Sequence, residues 1–139
     1  IVIKVPLTEH GLIACKNLSK KSIKVNVTLC FSSSQALIAA KMGATYISPF
    51  IGRLDDISNE GLNLIKEIIA IYNNYPDSLN TEVLVASIRS PLQVAQVAQM
   101  GADVATIPPK IIRQMINHPL TDIGLNNFME DWKKTGQTF

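Results

Sequence analysis

A short pattern that occurs twice constrains this chain more than any other feature of its sequence. The segments AKMGATYISP and AQMGADVATIP each pass from the end of a predicted helix, through Met-Gly-Ala, into a predicted strand. Repetition of one strand–helix unit is typical of parallel strands joined by helices, because each such connection must cross the face of the sheet. The pattern therefore predicts an α/β fold.

Hydrophobic periodicity supplies the remaining elements. Residues 23–29 alternate cleanly, with Val25 and Val27 on one face and Asn26 and Thr28 on the other, as in a strand. Strands are also predicted at 1–5, 45–50, 83–87 and 103–107. Helices are predicted at 11–20, 35–42, within 51–80, at 91–100, from 109, and from Thr121 as an N-cap. Two helices have predicted apolar stripes: Leu62, Ile65, Ile69 and Tyr72, then Leu125, Phe128 and Trp132.

Five strand–helix units leave two architectures open. A closed TIM (β/α)8 barrel needs eight units and usually 200 residues or more, so 1–139 would supply strands 4–8 and three units would precede Ile1. A five-stranded open sheet of flavodoxin type explains the length, but it does not explain the polar strand ends described below. We expect the barrel, with the whole chain lying in one domain.

Composition excludes several classes of protein. With 47% hydrophobic residues the chain is a globular domain, and a net charge of +2 gives no support to a nucleic-acid surface. No apolar run approaches the length of a membrane span. Cys15 and Cys30 have no metal-ligand spacing, and reduced thiols in a cytoplasmic protein are the simpler interpretation.

Lys4 is the first candidate for chemistry. It lies among aliphatic residues in IVIKVP, where burial would lower its pKa and give a neutral amine that can attack carbonyls. The alternative is a lysine on an edge strand whose amine reaches water. This residue alone favours the alternative.

Polar side chains at the ends of three other strands favour the catalytic interpretation. In a parallel barrel this end of the strands carries the active site, and residues two apart share a face. The three pairs are Asn26 and Thr28, Ser48 and Phe50, and Ser87 and Arg89. Arg53 and Arg89 follow strand ends, where guanidinium groups suit a phosphate ester. The alternative for Arg53 is a surface salt bridge with Asp55 or Asp56.

Four motifs together resemble the transaldolase family. They are IVIKVPLTEHG, NVTLCFS, ISPFIGRLDD and VLVASIRSP, in the family's order, and the short connections resemble its branch of small transaldolases and fructose-6-phosphate aldolases. The resemblance implies that Lys4 and Thr28 are catalytic, Lys4 forming a Schiff base and Thr28 holding a water. It implies substrate binding by Asn26, Ser48, Phe50, Arg53, Ser87 and Arg89.

The resemblance also implies an activity. A dihydroxyacetone unit would pass from a ketose phosphate to an aldose phosphate in the pentose phosphate pathway, without metal or organic cofactor, in a protein that is a homo-oligomer. Phe50 stands where the related aldolases carry Tyr, which favours transfer over release of free dihydroxyacetone. The family's first-strand Asp, its Thr-Asn-Pro motif and the acidic residue of its third strand are absent from these residues.

Two alternatives stay open. One is a fructose-6-phosphate aldolase that uses the same residues. The other is a truncated, inactive barrel that acts only as a binding or oligomerisation module, since an incomplete barrel should have exposed strand edges. We expect the 139-residue chain alone to be inactive.

Overall fold

Strands and helices alternate along the chain as the repeat predicts. The computed structural model describes residues 1–137, so the last two residues of the predicted domain lie outside it. The strands are β1 (Ile3–Pro6), β2 (Val25–Cys30), β3 (Tyr46–Pro49), β4 (Glu82–Val85) and β5 (Val104–Ala105). The helices are α1 (Glu9–Ser19), α2 (Ser33–Lys41), α3 (Ile51–Asp55), α4 (Gly61–Asn73), α5 (Pro91–Gln99), α6 (Pro109–Ile116) and α7 (Pro119–Lys134).

The order of the strands decides between the two predicted architectures. All neighbouring strands are parallel, and the order across the sheet is β1-β2-β3-β4-β5, which is the order along the chain. A flavodoxin-type sheet reverses direction once, so that helices cover both faces. Without a reversal, right-handed crossovers put every connecting helix on one face. The open flavodoxin-type alternative is therefore wrong.

The two faces of the sheet differ in chemistry. The face toward the helices is apolar, and it contains Val25, Val27, Ile47, Val83 and Val85, all buried. Polar residues alternate with these positions on β2 and β3, as predicted, up to Thr28. The predicted alternation is wrong at Leu29, which is exposed with a φ of 62°, because the register of β2 against β3 shifts between Thr28 and Cys30. The hydrophobic core therefore lies between the sheet and its helices, and the opposite face carries the polar side chains.

Local signals set most helix ends. Ser32 and Ser90 cap α2 and α5 by accepting hydrogen bonds from the backbone N–H groups of Gln35 and Gln93. Gly43 and Gly101 follow these helices with φ of +83° and +86°, the left-handed conformation that glycine adopts without strain. The predicted Thr121 cap is wrong: His118 caps α7, its Nδ1 accepting from Leu120 N–H, because Pro119 already occupies the first helical turn.

The predicted apolar stripes are only partly buried. The segment 51–80 holds two helices, and α4 buries Leu64, Ile65, Ile68 and Tyr72, whereas Leu62 and Ile69 are half-buried. The buried side is rotated because α4 packs against α2, α3, α5 and β4 at once. Helix α7 buries none of its residues: Leu125 and Phe128 are exposed, and Trp132 is half-buried. Within residues 1–137, no helix has the length and apolar character needed to cross a membrane.

Candidate active site

The sheet register brings Lys4 beside Asn26. The Cα partners of β1 and β2 include Lys4 with Asn26, and those of β2 and β3 include Thr28 with Ser48. Paired residues of parallel strands point to the same side of a sheet, and so do residues two apart on one strand. The side chains of Lys4, Asn26, Thr28 and Ser48 therefore share the face opposite the helices.

Asn26 and Ser48 form the buried centre of this face. Ser48 Oγ donates a 2.8 Å hydrogen bond to Asn26 Oδ1, and the two residues are only 1% and 7% exposed. This bond fixes which way the Asn26 amide points, because its oxygen is occupied by the serine hydroxyl. The amide nitrogen makes no hydrogen bond with a described residue and is left to donate to a ligand.

Thr28 presents a hydroxyl without a partner. Its Oγ1 is buried and makes no hydrogen bond with any of the described residues, although the rest of the side chain is half-buried. Leaving such a group unpaired costs about 1–3 kcal/mol, so most buried hydroxyls are satisfied. The Thr28 hydroxyl thus has unused hydrogen-bonding capacity on the face that carries Asn26 and Ser48.

Lys4 differs from the expectation in one respect. Its side chain is exposed, and Val5 is the one buried residue of β1. The strand lies at the edge of the five-stranded sheet and pairs only with β2, so it gains no burial from a second neighbour. The expected desolvation of the Lys4 amine is therefore not observed in residues 1–137.

The turn from β3 into α3 carries an aromatic and cationic cluster. Phe50 precedes α3, its ring lying 6.1 Å from the Phe31 ring, and the Arg53 guanidinium carbon lies 4.9 Å from the centroid of the Phe50 ring. A cation over an aromatic face at this distance is stabilised by the ring's quadrupole. Arg53 therefore stays beside the strand ends without a carboxylate partner within salt-bridge distance among the described residues.

The end of β4 lies against the first turn of α3. Gly52 N–H donates a 3.1 Å hydrogen bond to the carbonyl oxygen of Ser87. The Ser87 backbone has a φ of 63°, which lies outside the conformations that serine favours. A methyl group on Gly52 would lie 2.7 Å from Arg89 Nε and 2.9 Å from Ser87 Oγ. The missing side chain of Gly52 therefore lets Ser87 and Arg89 approach α3.

Asp56 holds Arg89. Both terminal guanidinium nitrogens of Arg89 bond to the Asp56 carboxylate, the second with Nη2–Oδ2 at 2.5 Å. The hydrogen bonds from Arg89 lower the pKa of Asp56, and the Asp56 carboxylate raises the pKa of Arg89. The alternative of a salt bridge between Arg53 and Asp55 or Asp56 is therefore wrong. Asp56 forms its salt bridge with Arg89, which follows the neighbouring strand β4.

Sequence reasoning missed the residues that support this corner. Asp55 accepts from Gly61 N–H at 2.9 Å and from Gln93 Nε2 at 2.8 Å, and Gln93 Oε1 accepts from the Arg89 N–H. The only available signal was the acidic pair at 55–56, which follows Arg53 after one intervening residue. Over the described part of the chain, no group of three or more His, Cys, Asp or Glu residues could hold a metal ion.

Comparison with known proteins shows the family of this chain. The model of the family described as "Transaldolase/Fructose-6-phosphate aldolase" matches residues 1–139. The chain belongs to this family. The family predicted from the four motifs is thus confirmed.

This chain is similar over nearly its whole length to several relatives named "Probable transaldolase". It is 61% identical over 137 residues to one from Parvibaculum lavamentivorans, 58% over 137 to one from Rhodospirillum centenum, and 59% over 134 to one from Nitrosopumilus maritimus. These alignments cover 99%, 99% and 96% of this chain and 62%, 59% and 60% of the relatives. The chain therefore spans about three-fifths of the length of the curated relatives that it matches.

The fold recurs in more distant proteins. A structure of mandelate oxidase with benzoyl-formic acid superposes with a TM-score of 0.51 at 19% identity, over 69% of this chain and 28% of the oxidase. At this identity the likeness concerns the fold alone.

Proposed function

We propose that this chain carries the Schiff-base half of a transaldolase active site. The protein would move a dihydroxyacetone unit from fructose 6-phosphate or sedoheptulose 7-phosphate to erythrose 4-phosphate or glyceraldehyde 3-phosphate. The observation that carries the proposal is the register of Lys4 beside Asn26, on a face that also presents Thr28 and Ser48. Membership of the family supports it.

Lys4 supplies the nucleophile. Its Nζ attacks the ketose C2 carbonyl, and loss of water leaves an iminium on C2. The iminium accepts the electron pair of the C3–C4 bond as the C4 hydroxyl loses its proton and an aldose phosphate departs. The remaining enamine attacks the carbonyl carbon of a second aldose, and water then releases the new ketose and the free amine.

Asn26, Thr28 and Ser48 organise the three-carbon unit. The Asn26 amide, fixed by Ser48, donates toward a substrate hydroxyl. The unpaired Thr28 hydroxyl would hold the water that carries protons to and from the oxygen atom bound to C2. The buried Ser48–Asn26 pair keeps both groups in position between successive half-reactions.

Arg53, Ser87 and Arg89 bind the phosphate of the substrate. Arg53 adds a positive charge without a paired carboxylate among the described residues, and Ser87 Oγ and Arg89 Nε both lie beside Gly52. Charge-assisted hydrogen bonds of this kind recognise phosphate esters well.

Phe50 favours transfer of the three-carbon unit to an aldose over its release as free dihydroxyacetone. Its ring offers no hydroxyl to position a water that would protonate the enamine, so the enamine waits for an aldose acceptor. This favours transaldolase over fructose-6-phosphate aldolase activity in the same site.

The chain would form strands 4–8 of a TIM barrel, with three further strand–helix units closing the sheet. The unreversed strand order and the match to about three-fifths of the relatives support this arrangement. In the closed barrel Lys4 would gain the second neighbour that it lacks here. We also propose a cytoplasmic homo-oligomer in the pentose phosphate pathway, and the two buried free thiols suit a reducing compartment.

Borohydride trapping tests the proposal. The full-length protein is incubated with fructose 6-phosphate and sodium borohydride, and the modified peptide is identified by mass spectrometry. We expect a reduced three-carbon adduct on Lys4 and its loss in Lys4→Ala. Lys24→Ala is the matched control, since Lys24 directly precedes β2 and is also exposed.

Three results would redirect the proposal. An adduct on another lysine, or an equal yield in Lys4→Ala, would overturn it. Free dihydroxyacetone released without an acceptor, as fast as transfer, would favour the aldolase. No adduct on any lysine of a folded protein would favour a module that only binds or oligomerises.

A further inference from the structure

Arg53 and Arg89 stand in different electrostatic environments. Arg53 lies over the Phe50 ring and has no salt bridge with a described residue. Arg89 is paired end-on with Asp56 through Nη1 and Nη2. Both guanidinium groups therefore act on the Asp56 carboxylate and lower its pKa, but only Arg89 is hydrogen-bonded to it, so Arg53 keeps its N–H groups for an anion.

End-on pairing leaves one edge of the Arg89 guanidinium for another ligand. A guanidinium has five N–H groups, and the Asp56 carboxylate takes one from each terminal nitrogen. Arg89 Nε and Ser87 Oγ are neighbours beside Gly52: a Cβ built on that glycine would lie 2.7 Å and 2.9 Å from them and 2.3 Å from the Ser87 carbonyl oxygen. The bonds to Asp56 thus leave the Nε of Arg89 unused, close to the serine hydroxyl.

The support behind Asp56 is itself anchored. Asp55, its neighbour, bonds to Gly61 N–H and to Gln93, and Gln93 accepts from the Arg89 N–H. Both the backbone and the side chain of Arg89 are therefore connected to the end of α3. A carboxylate on such a support can restrict the rotation of a long side chain.

We propose that Asp56 is a positioning residue for phosphate binding, which orients Arg89 so that its Nε edge and Ser87 Oγ receive the same phosphate. This proposal rests on the proposed function for the identity of the substrate. Arg53 then supplies the attraction, and the Asp56–Arg89 pair supplies the direction of the hydrogen bonds.

Removal of Asp56 has two opposing effects. It removes a negative charge near the phosphate, which favours binding, and it releases the Arg89 side chain, which opposes binding. Asp56 and Arg89 are each 50% exposed, so solvent and salt screen the repulsion. An unrestrained arginine loses much rotamer freedom when it binds. The second effect is the larger, and binding weakens.

Two measurements on the full-length protein test this. Calorimetric titration with inorganic phosphate should give a Kd about fivefold weaker in Asp56→Asn, with most of the affinity retained in Asp56→Glu. Steady-state kinetics with fructose 6-phosphate should show KM raised about fivefold and kcat within about twofold, with turnover of unphosphorylated fructose unchanged. Asp131→Asn is the matched control: it removes the same charge from the exposed pair of Asp131 with Lys134, and it should change neither value.

Several outcomes would overturn the proposal. They are tighter or unchanged phosphate binding in Asp56→Asn, no phosphate binding by the wild-type protein, and an equal loss of activity toward fructose and fructose 6-phosphate. Phosphate titration needs no turnover, so it decides the role of Asp56 even if Lys4 forms no adduct and the proposed function fails. Conversely, an unaltered titration in Asp56→Asn leaves the trapping result on Lys4 untouched.

Discussion

Ser48 Oγ lies 2.8 Å from Asn26 Oδ1, and this hydrogen bond joins two neighbouring strands at positions 22 residues apart. Both side chains are buried, so neither can exchange its partner for bulk water. The pair therefore contributes to stability and at the same time fixes the amide of Asn26, the residue that pairs with Lys4 in the register of β1 and β2.

Ser48→Ala tests this double role. The change leaves a buried amide oxygen unpaired, so we expect the free energy of unfolding to fall by about 1–3 kcal/mol. We also expect slower Schiff-base formation, because the Asn26 amide is no longer held. Urea denaturation and stopped-flow trapping measure the two effects. Ser34→Ala, at an exposed hydroxyl, should change stability by less than about 0.5 kcal/mol. A Ser48→Ala protein as stable as the control would contradict the interpretation.

Phe50→Tyr tests the partition of the enamine. A phenol at this position could hold a water near the three-carbon unit, so we expect release of free dihydroxyacetone to rise about tenfold or more relative to transfer. Coupled assays with and without erythrose 4-phosphate measure the ratio. Phe31→Tyr is the matched control, since Phe31 is the ring partner of Phe50. An unchanged ratio in Phe50→Tyr would show that Phe50 does not direct the enamine.

Gly52→Ala tests the close approach of α3 to the end of β4. The added methyl group would clash with the Ser87 carbonyl oxygen, which is backbone and cannot swing away. We expect a loss of about 2 kcal/mol or more in stability, and weaker phosphate binding. Thermal unfolding and phosphate titration measure these. Gly124→Ala is the control with the opposite sign: nothing lies within 4 Å of its Cβ, and alanine should stabilise α7 by about 0.5–1 kcal/mol. Equal shifts in both variants would contradict this account.

The buried thiol of Cys30 leads us to expect a loss of folding stability at alkaline pH. Burial raises the pKa of its thiol from 9.0 to about 11, so the folded protein keeps the neutral thiol while the unfolded chain ionises. The thiol's contribution is therefore fully present below pH 9 and is lost between pH 9 and about 11, at about 1.4 kcal/mol per pH unit. Denaturation of wild type and Cys30→Ala across this range isolates the contribution. Parallel pH profiles would contradict the prediction.

Much of the fold could be predicted because its signals are local. The Met-Gly-Ala repeat, the serine caps and the alternation at 23–29 each depend on a few adjacent residues. The buried side of α4 could not be predicted in the same way. Residues 68 and 69 are both isoleucine, so hydrophobicity does not tell which of Ile68 and Ile69 is buried. Their burial depends on four neighbouring elements that pack around the helix.

The candidate site likewise contains residues that local sequence signals predict and contacts that they do not. Lys4, Asn26, Thr28 and Ser48 share a face because strand periodicity places them there. The Asp56–Arg89 pair joins positions 33 residues apart, and it depends on the short helix α3 and on the space above Gly52. No local pattern encodes such a contact. The exposure of Lys4 depends on what covers an edge strand, which its own aliphatic neighbours do not reveal.

The unreversed order of the strands has a consequence for how the sheet assembles. Every strand pairs with its neighbour in the chain, and even the most distant paired positions, such as Tyr46 and Glu82, are 36 residues apart. Loop-closure entropy rises only slowly with length, so each pairing adds a similar small increment. The five described strands can therefore pair one at a time, in the order in which they occur along the chain.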